Sequence, residues 1–328
     1  MASIASAGRR PATASKTGGM RGQQEACAGS IAPRKQRDLA RAISKVENGH
    51  AEAGELLAAL GPRDAALGRL SVYGITGPPG AGKSTLVDRL IEKFRDQGKT
   101  VAVVAVDPSS PFTHGAVLGD RVRMQRHSSD DGVFIRSMAS REGAGGIAPA
   151  TREAVALIEA AGFDLCIIET VGVGQVELEI VAIADVVVVV TVPALGDSVQ
   201  TIKAGLTEIA DVFVVNMADR PGANATSVDL KHMLRESARD VPVLQTIASD
   251  GTGVDDLVSA LQEFELRGAP NAARAVQFEV VRLAREGATR MARAALESGE
   301  ALRLLRELEA GRRSRRDVVA AILELTRR

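Results

Sequence analysis

Ser71-Val-Tyr-Gly-Ile-Thr-Gly-Pro-Pro-Gly-Ala-Gly-Lys-Ser-Thr-Leu86 is the stretch that decides the fold. Its first half is an apolar strand. Its second half, Gly77 to Thr85, matches GxxxxGK[ST], and Leu86, Leu90, Ile91 and Phe94 continue at helical spacing. Strand, glycine loop and helix in that order form a phosphate-binding loop. Its glycines let the backbone wrap closely around phosphate and present N–H groups as an anion nest. Gly77, Pro78, Pro79, Gly80, Ala81, Gly82, Lys83, Ser84 and Thr85 are therefore expected to bind a nucleotide. Lys83 reaches the β- and γ-phosphates, and the Ser84 hydroxyl takes a Mg²⁺ position.

Working outward, apolar runs recur at Ser71–Thr76, Val101–Val106, Val133–Arg136, Leu165–Glu169, Val186–Val192, Val212–Asn216 and Val243–Thr246, with amphipathic segments between them. Strands this apolar must be covered on both faces, which implies a mostly parallel sheet. The expected class is α/β: a P-loop NTPase with a doubly wound sheet, flanked by helical N- and C-terminal arms. The chain divides into a disordered leader (1–33), an N-terminal helical arm (34–66), a P-loop domain (67–266) and a C-terminal helical extension (267–328) that is expected to pair subunits. Leu39, Ile43 and Val46 mark the first arm. Val276, Val280 and Leu283, then Leu302, Leu305 and Leu308, mark the second.

Composition narrows the function. The 328 residues carry 41 Lys+Arg and 41 Asp+Glu, with no Trp, one Tyr and seven Phe. Zero net charge argues against a nucleic-acid binder, and so few rings argue against base-stacking platforms. Cys27 and Cys166 cannot make a disulfide framework or a CxxC metal pair. The most apolar run, Val186 to Val192, is about the length of one strand and far short of the ~20 residues of a membrane span. The expected compartment is the cytoplasm, with no membrane and no nucleic acid as partner.

A triphosphate site needs carboxylates for Mg²⁺ and for water. Asp107 follows one strand, Glu169 ends another, and Asp120 lies in the loop between. The expected metal set is Ser84, Asp107, Asp120 and Glu169; the expected catalytic set is Lys83, Glu169 and Asp120. Farther on, Asn216-Met-Ala-Asp219 stands where guanine-specific proteins carry Asn-Lys-x-Asp. An Asp there accepts hydrogen bonds from guanine N1–H and its exocyclic amine, which adenine cannot supply in the same pattern. Met217 replaces the Lys, supplying apolar cover without charge. Ile247, Ala248 and Ser249 should provide the second base contact. GTP or GDP with Mg²⁺ is thus the expected ligand.

Asp107-Pro-Ser-Ser-Pro-Phe, Leu118-Gly-Asp-Arg-Val-Arg-Met-Gln-Arg126, Phe134-Ile-Arg-Ser-Met138, Glu169-Thr-Val-Gly-Val-Gly-Gln175 and Lys203-Ala-Gly-Leu-Thr-Glu-Ile-Ala-Asp211 together resemble the MeaB/ArgK/MMAA family. These are G-protein metallochaperones of adenosylcobalamin-dependent acyl-CoA mutases, and the resemblance runs from about Leu39 to Phe264. It implies a homodimeric GTPase that gates adenosylcobalamin loading and protects or reactivates a mutase of methylmalonyl-, isobutyryl- or hydroxyisobutyryl-CoA type. It also implies switch segments at Gly145 and Gly146 and at Gly172, Val173, Gly174 and Gln175. The chain shows no water-orienting Gln after Asp-x-x-Gly, so basal hydrolysis should be slow and partner-stimulated. Arg121, Arg123 and Arg141 are candidates to relieve transition-state charge. A nickel-insertion GTPase would need Cys and His clusters, whereas His50, His114, His127 and His232 are scattered. A small-molecule kinase would need an acceptor pocket that no segment supplies.

Overall fold

The computed structural model describes residues 33–48, 55–56, 69–108, 125–127, 129–140, 149–170, 180–193, 206–237, 239–267 and 272–325. Seven strands form one sheet: β1 (Ser71–Thr76), β2 (Val101–Pro108), β3 (Val133–Ser140), β4 (Leu165–Thr170), β5 (Val186–Thr191), β6 (Val212–Asn216) and β7 (Val243–Thr246). Their order is β3-β2-β4-β1-β5-β6-β7, and every pairing is parallel. The seven apolar runs of the sequence are these seven strands. β2 and β3 extend beyond their expected ends, to Pro108 and Ser140, because they pair with each other along their full length.

Nine helices are described: α1 (Pro33–Glu47), α2 (Lys83–Asp96), α3 (Pro149–Ala161), α4 (Leu206–Ile209), α5 (Ala223–Glu236), α6 (Val254–Arg267), α7 (Ala272–Leu296), α8 (Gly299–Glu309) and α9 (Arg315–Leu325). The leader expected over 1–33 lies outside the described residues except for Pro33, which opens α1. The apolar stretch from Leu56 to Leu60 lies outside them beyond Leu56.

The sheet is covered on both faces because successive strand residues point to opposite sides. Ala102, Val104, Cys166, Ile168, Val187, Val189, Phe213 and Val215 share one core with Leu39 and Ile43 of α1, Leu157 and Ile158 of α3 and Leu230 of α5. Tyr73, Ile75, Val101, Val103, Leu165, Ile167, Val188 and Val214 share the other with Leu86, Leu90, Ile91 and Phe94 of α2 and Leu257 and Leu261 of α6. Burial pushes the Cys166 thiol up, far from the thiolate range, so this cysteine is packing and not a nucleophile.

In α8 the buried residues are Ala301 and Leu304, while Leu302 is exposed. Leu305 and Leu308 of the expected stripe are half-buried on the same face as Ala301 and Leu304, so that face packs inward at i, i+3, i+4 and i+7 spacing and Leu302 falls outside it. The Ser298 side chain caps the helix by accepting from the Ala301 N–H. Among the described residues no helix is long and apolar enough to cross a membrane.

The α2 core rests on a ring pair. Phe94 is fully buried and stacks on Tyr73 of β1, with centroids 5.7 Å apart. Phe94→Ala should cost about 3–5 kcal/mol by leaving a cavity under the phosphate-loop helix. A urea titration checks this; a loss below about 1 kcal/mol would mean the helix is held otherwise.

Candidate functional site

β1 is flanked by β4 on one side and β5 on the other, so the loop after it opens onto the middle of the sheet's carboxyl edge. That edge is where ligands of open parallel sheets sit. The loop's shape is set by sterics. Gly77 has φ +137° and lies against Val190 of β5, where a Cβ would strike the Val190 carbonyl oxygen. Gly82 caps α2 with φ 84°, and a Cβ there would strike Asn216 Nδ2. Glycine is the residue that accepts both the positive φ and the close approach. No side chain caps the start of α2, which leaves its first N–H groups to an anion.

Lys83 opens α2 and is 6% exposed. Its ammonium donates to the carbonyls of Gly77 (2.8 Å) and Pro78 (3.0 Å), which holds the charge inside the loop. Ser84 follows, and its hydroxyl donates to Glu169 Oε1 at 2.7 Å. Glu169 is 4% exposed at the end of β4. It reaches Ser84 because β1 and β4 pair with Ile75 opposite Glu169. One residue on, Thr170 donates to the Thr76 hydroxyl at 2.9 Å and ties the ends of the two strands. Two oxygen donors of a hydroxyl and a carboxylate, side by side at the foot of a phosphate loop, suit a hard divalent cation such as Mg²⁺. Asp107 lies at the same carboxyl edge, in β2 with its backbone opposite Ala139 of β3.

The base side is built around Asn216, the last residue of β6 and 2% exposed. Its Oδ1 accepts from the Thr246 hydroxyl (3.1 Å) and the Ala248 N–H (3.0 Å). Its Nδ2 donates to the Ala81 carbonyl at 2.8 Å. One amide thus joins the phosphate loop, β6 and the loop after β7. Met217 follows with φ 57°, the positive-φ residue other than glycine among the described residues. Its Cε lies 3.7 Å from where a Cβ on Gly82 would stand, so its apolar end rests against the phosphate loop. Asp219 is exposed at the turn, Ala248 is buried, Ile247 is half-buried and Ser249 is exposed.

The structure thus brings Gly77 to Thr85, Glu169, Asn216 to Asp219 and Ile247 to Ser249 to one edge of the sheet. The side chain of Asp107, and all of Asp120, Arg121, Arg123, Arg141, Gly145, Gly146, Gly172, Val173, Gly174 and Gln175, lie outside the described residues. Sequence reading missed two groups of contacts made by α2, one to Arg126 and His127 and one to the loop after β7. Asp88 accepts from His127 at 2.9 Å and from Arg126, while Arg126 also pairs with Glu92 at 2.6 Å. Arg89 reaches the carbonyls of the loop after β7. In the sequence these residues are indistinguishable from the charged outer face of an amphipathic helix.

Comparison with known proteins places this geometry. The family described as "Methylmalonyl Co-A mutase-associated GTPase MeaB" matches residues 39–296. A relative from Pyrococcus abyssi named as a GTPase is 52% identical over 235 residues, 70% of this chain and 72% of its own. GTPase ArgK of Escherichia coli is 39% identical over 241 residues, 69% of this chain and 71% of its own. The mouse mitochondrial methylmalonic aciduria type A homolog is 36% identical over 247 residues, 69% of this chain and 59% of its own. A crystal structure described as an LAO/AO transport system kinase superposes with a TM-score of 0.63 at 27% identity, covering 90% of this chain and 96% of the other. With its P-loop, seven-stranded parallel sheet and a match running through most of its length, the chain belongs to the MeaB family of GTPases.

Proposed function

We propose that this protein is a guanine-nucleotide switch that hydrolyses GTP slowly and, through its nucleotide state, gates adenosylcobalamin loading and protection or reactivation of a cobalamin-dependent acyl-CoA mutase. The observation that carries the GTPase reading is the Ser84–Glu169 hydrogen bond of 2.7 Å at the foot of the phosphate loop. The mutase link rests on the family's description and on the similarity to the methylmalonic aciduria homolog. GDP and phosphate are the products. The setting is the cytoplasm, and the partner is the mutase's cobalamin-binding domain or subunit.

Each residue's part follows from its position. The N–H groups of Gly80 to Ser84 and the Lys83 ammonium receive the phosphate oxygens. Two carbonyls hold the Lys83 ammonium inside the loop, and a positive charge placed there is worth more to developing charge than one in bulk solvent. Ser84, Glu169, Asp107 and Asp120 would hold Mg²⁺, which neutralises charge on the β- and γ-phosphates when bound. Glu169 also accepts a hydrogen bond from the attacking water and orients it. Asp219 accepts from guanine, with Met217 as apolar cover in place of the Lys stem. Gly145, Gly146 and Gly172 to Gln175 are the segments that loss of the γ-phosphate would release. The C-terminal helices supply the homodimer contact, consistent with exposed Val280, Met291, Leu302 and Val319.

Two experiments test the reading. Lys83→Ala should abolish GTP binding, while Glu169→Gln should retain binding within about tenfold and lower turnover by about 10²-fold or more. Binding is read by calorimetry and turnover by phosphate release; full turnover in Glu169→Gln would remove Glu169 from the chemistry. Adding the mutase should raise wild-type turnover. Fast hydrolysis alone, with no effect of the mutase, would overturn the switch.

A further inference from the structure

The loop after β7 is gripped from two sides. Asn216 takes the Ala248 N–H from the β6 side. From the α2 side, Arg89 Nε donates to the Ala248 carbonyl at 3.1 Å and Arg89 Nη2 donates to the Ser249 carbonyl at 2.6 Å. The third guanidinium nitrogen, Nη1, is held by Glu92 at 2.9 Å, which fixes the fork on the helix. Arg89 stands on the helix that begins with the phosphate loop.

The remaining amides of the loop are used internally. Ile247 donates to the Thr252 carbonyl, Asp250 and Gly251 donate to the Ile247 carbonyl, and Thr252 donates to the Asp250 side chain. Of the amides from Ile247 to Thr252, that of Ser249 has no hydrogen-bond partner among the described residues. In a trans peptide the N–H points opposite to the carbonyl it is bonded to. By drawing the Ala248 carbonyl toward α2, Arg89 therefore turns the Ser249 N–H away from α2. A fixed N–H donor matches the 6-oxo group of guanine and opposes the 6-amino group of adenine, which is itself a donor.

We propose that Arg89 is a specificity-positioning residue: its guanidinium fixes the orientation of the Ala248–Ser249 peptide and so makes base discrimination depend on the phosphate-loop helix. The inference rests on the guanine-nucleotide reading above. Arg89 touches no reacting atom, so its effect falls on affinity and base choice and not on the chemical step. A planar fork bonding two carbonyls cannot be reproduced by an ammonium, so Lys is not an equivalent.

The neighbouring link on the same helix supplies a control. Lys93 pairs with Asp255 of α6 at 2.7 Å, tying α2 to the helix after this loop without touching a loop carbonyl. GDP and ADP affinities of wild type, Arg89→Ala, Arg89→Lys and Lys93→Ala are measured by calorimetry, with GTP turnover at saturation. Arg89→Ala should weaken GDP by about tenfold or more and leave ADP nearly unchanged, narrowing the ratio, with saturated turnover held within about twofold. Arg89→Lys should narrow the ratio by less, and it carries the test if Arg89→Ala does not fold. Lys93→Ala should leave the ratio intact. Equal losses of GDP and ADP in the Arg89 variants, or a ratio that survives them, would reduce Arg89 to a structural tie. A wild type with no preference for GDP would overturn the guanine reading itself, and this inference with it.

Discussion

The parallel register that sets Ile75 opposite Glu169 is the constraint on which the site depends. β1 ends in the phosphate loop and β4 ends in the carboxylate, so their alignment brings Ser84 within 2.7 Å of Glu169. A slip of one residue would turn Glu169 to the other face of the sheet. The register is protected by alternation: Val72, Cys166 and Ile168 enter one core, and Tyr73, Ile75, Leu165 and Ile167 enter the other. The Thr76–Thr170 hydrogen bond pins the ends where the two loops leave. Two apolar cores thus do the positioning that the polar edge uses.

A second constraint joins the phosphate loop to the proposed base pocket. Asn216 spans three segments with its one amide, and each hydrogen bond is buried. Losing such a group leaves donors and acceptors unpaired at about 1–3 kcal/mol each. The phosphate loop therefore cannot shift without disturbing the loop after β7. Glycine at position 82 is part of this arrangement, because Asn216 occupies the space that a Cβ would need. A residue that sequence reading places in the base pocket is, in the fold, the tie between the two halves of the site.

Much of the fold was legible because its signals are local. The apolar runs mark all seven strands, and GxxxxGK[ST] between a strand and a helix identifies the phosphate loop by itself. The place of Glu169 at the end of β4, on the sheet's carboxyl edge, was legible from the apolar run before it. What the sequence hid depends on contacts between segments far apart in the chain. Arg89 is separated from Ser249 by 160 positions and sits among charges that look like a solvated helix face. The facing of α8 was legible only in part: Leu305 and Leu308 lie on its half-buried face, but Leu304 and not Leu302 completes that face, a choice between two leucines that the apolar spacing leaves open.

On this reading Ser84 and Glu169 form the cation side of a guanine-nucleotide site. Calorimetric titration of the wild-type protein and Ser84→Ala with GTP, with and without Mg²⁺, tests it most directly. Mg²⁺ should tighten GTP binding to the wild type by about tenfold or more, about 1.4 kcal/mol, and Ser84→Ala should lose that gain. Equal GTP affinity with and without Mg²⁺ in the wild type, or a full gain retained by Ser84→Ala, would contradict it.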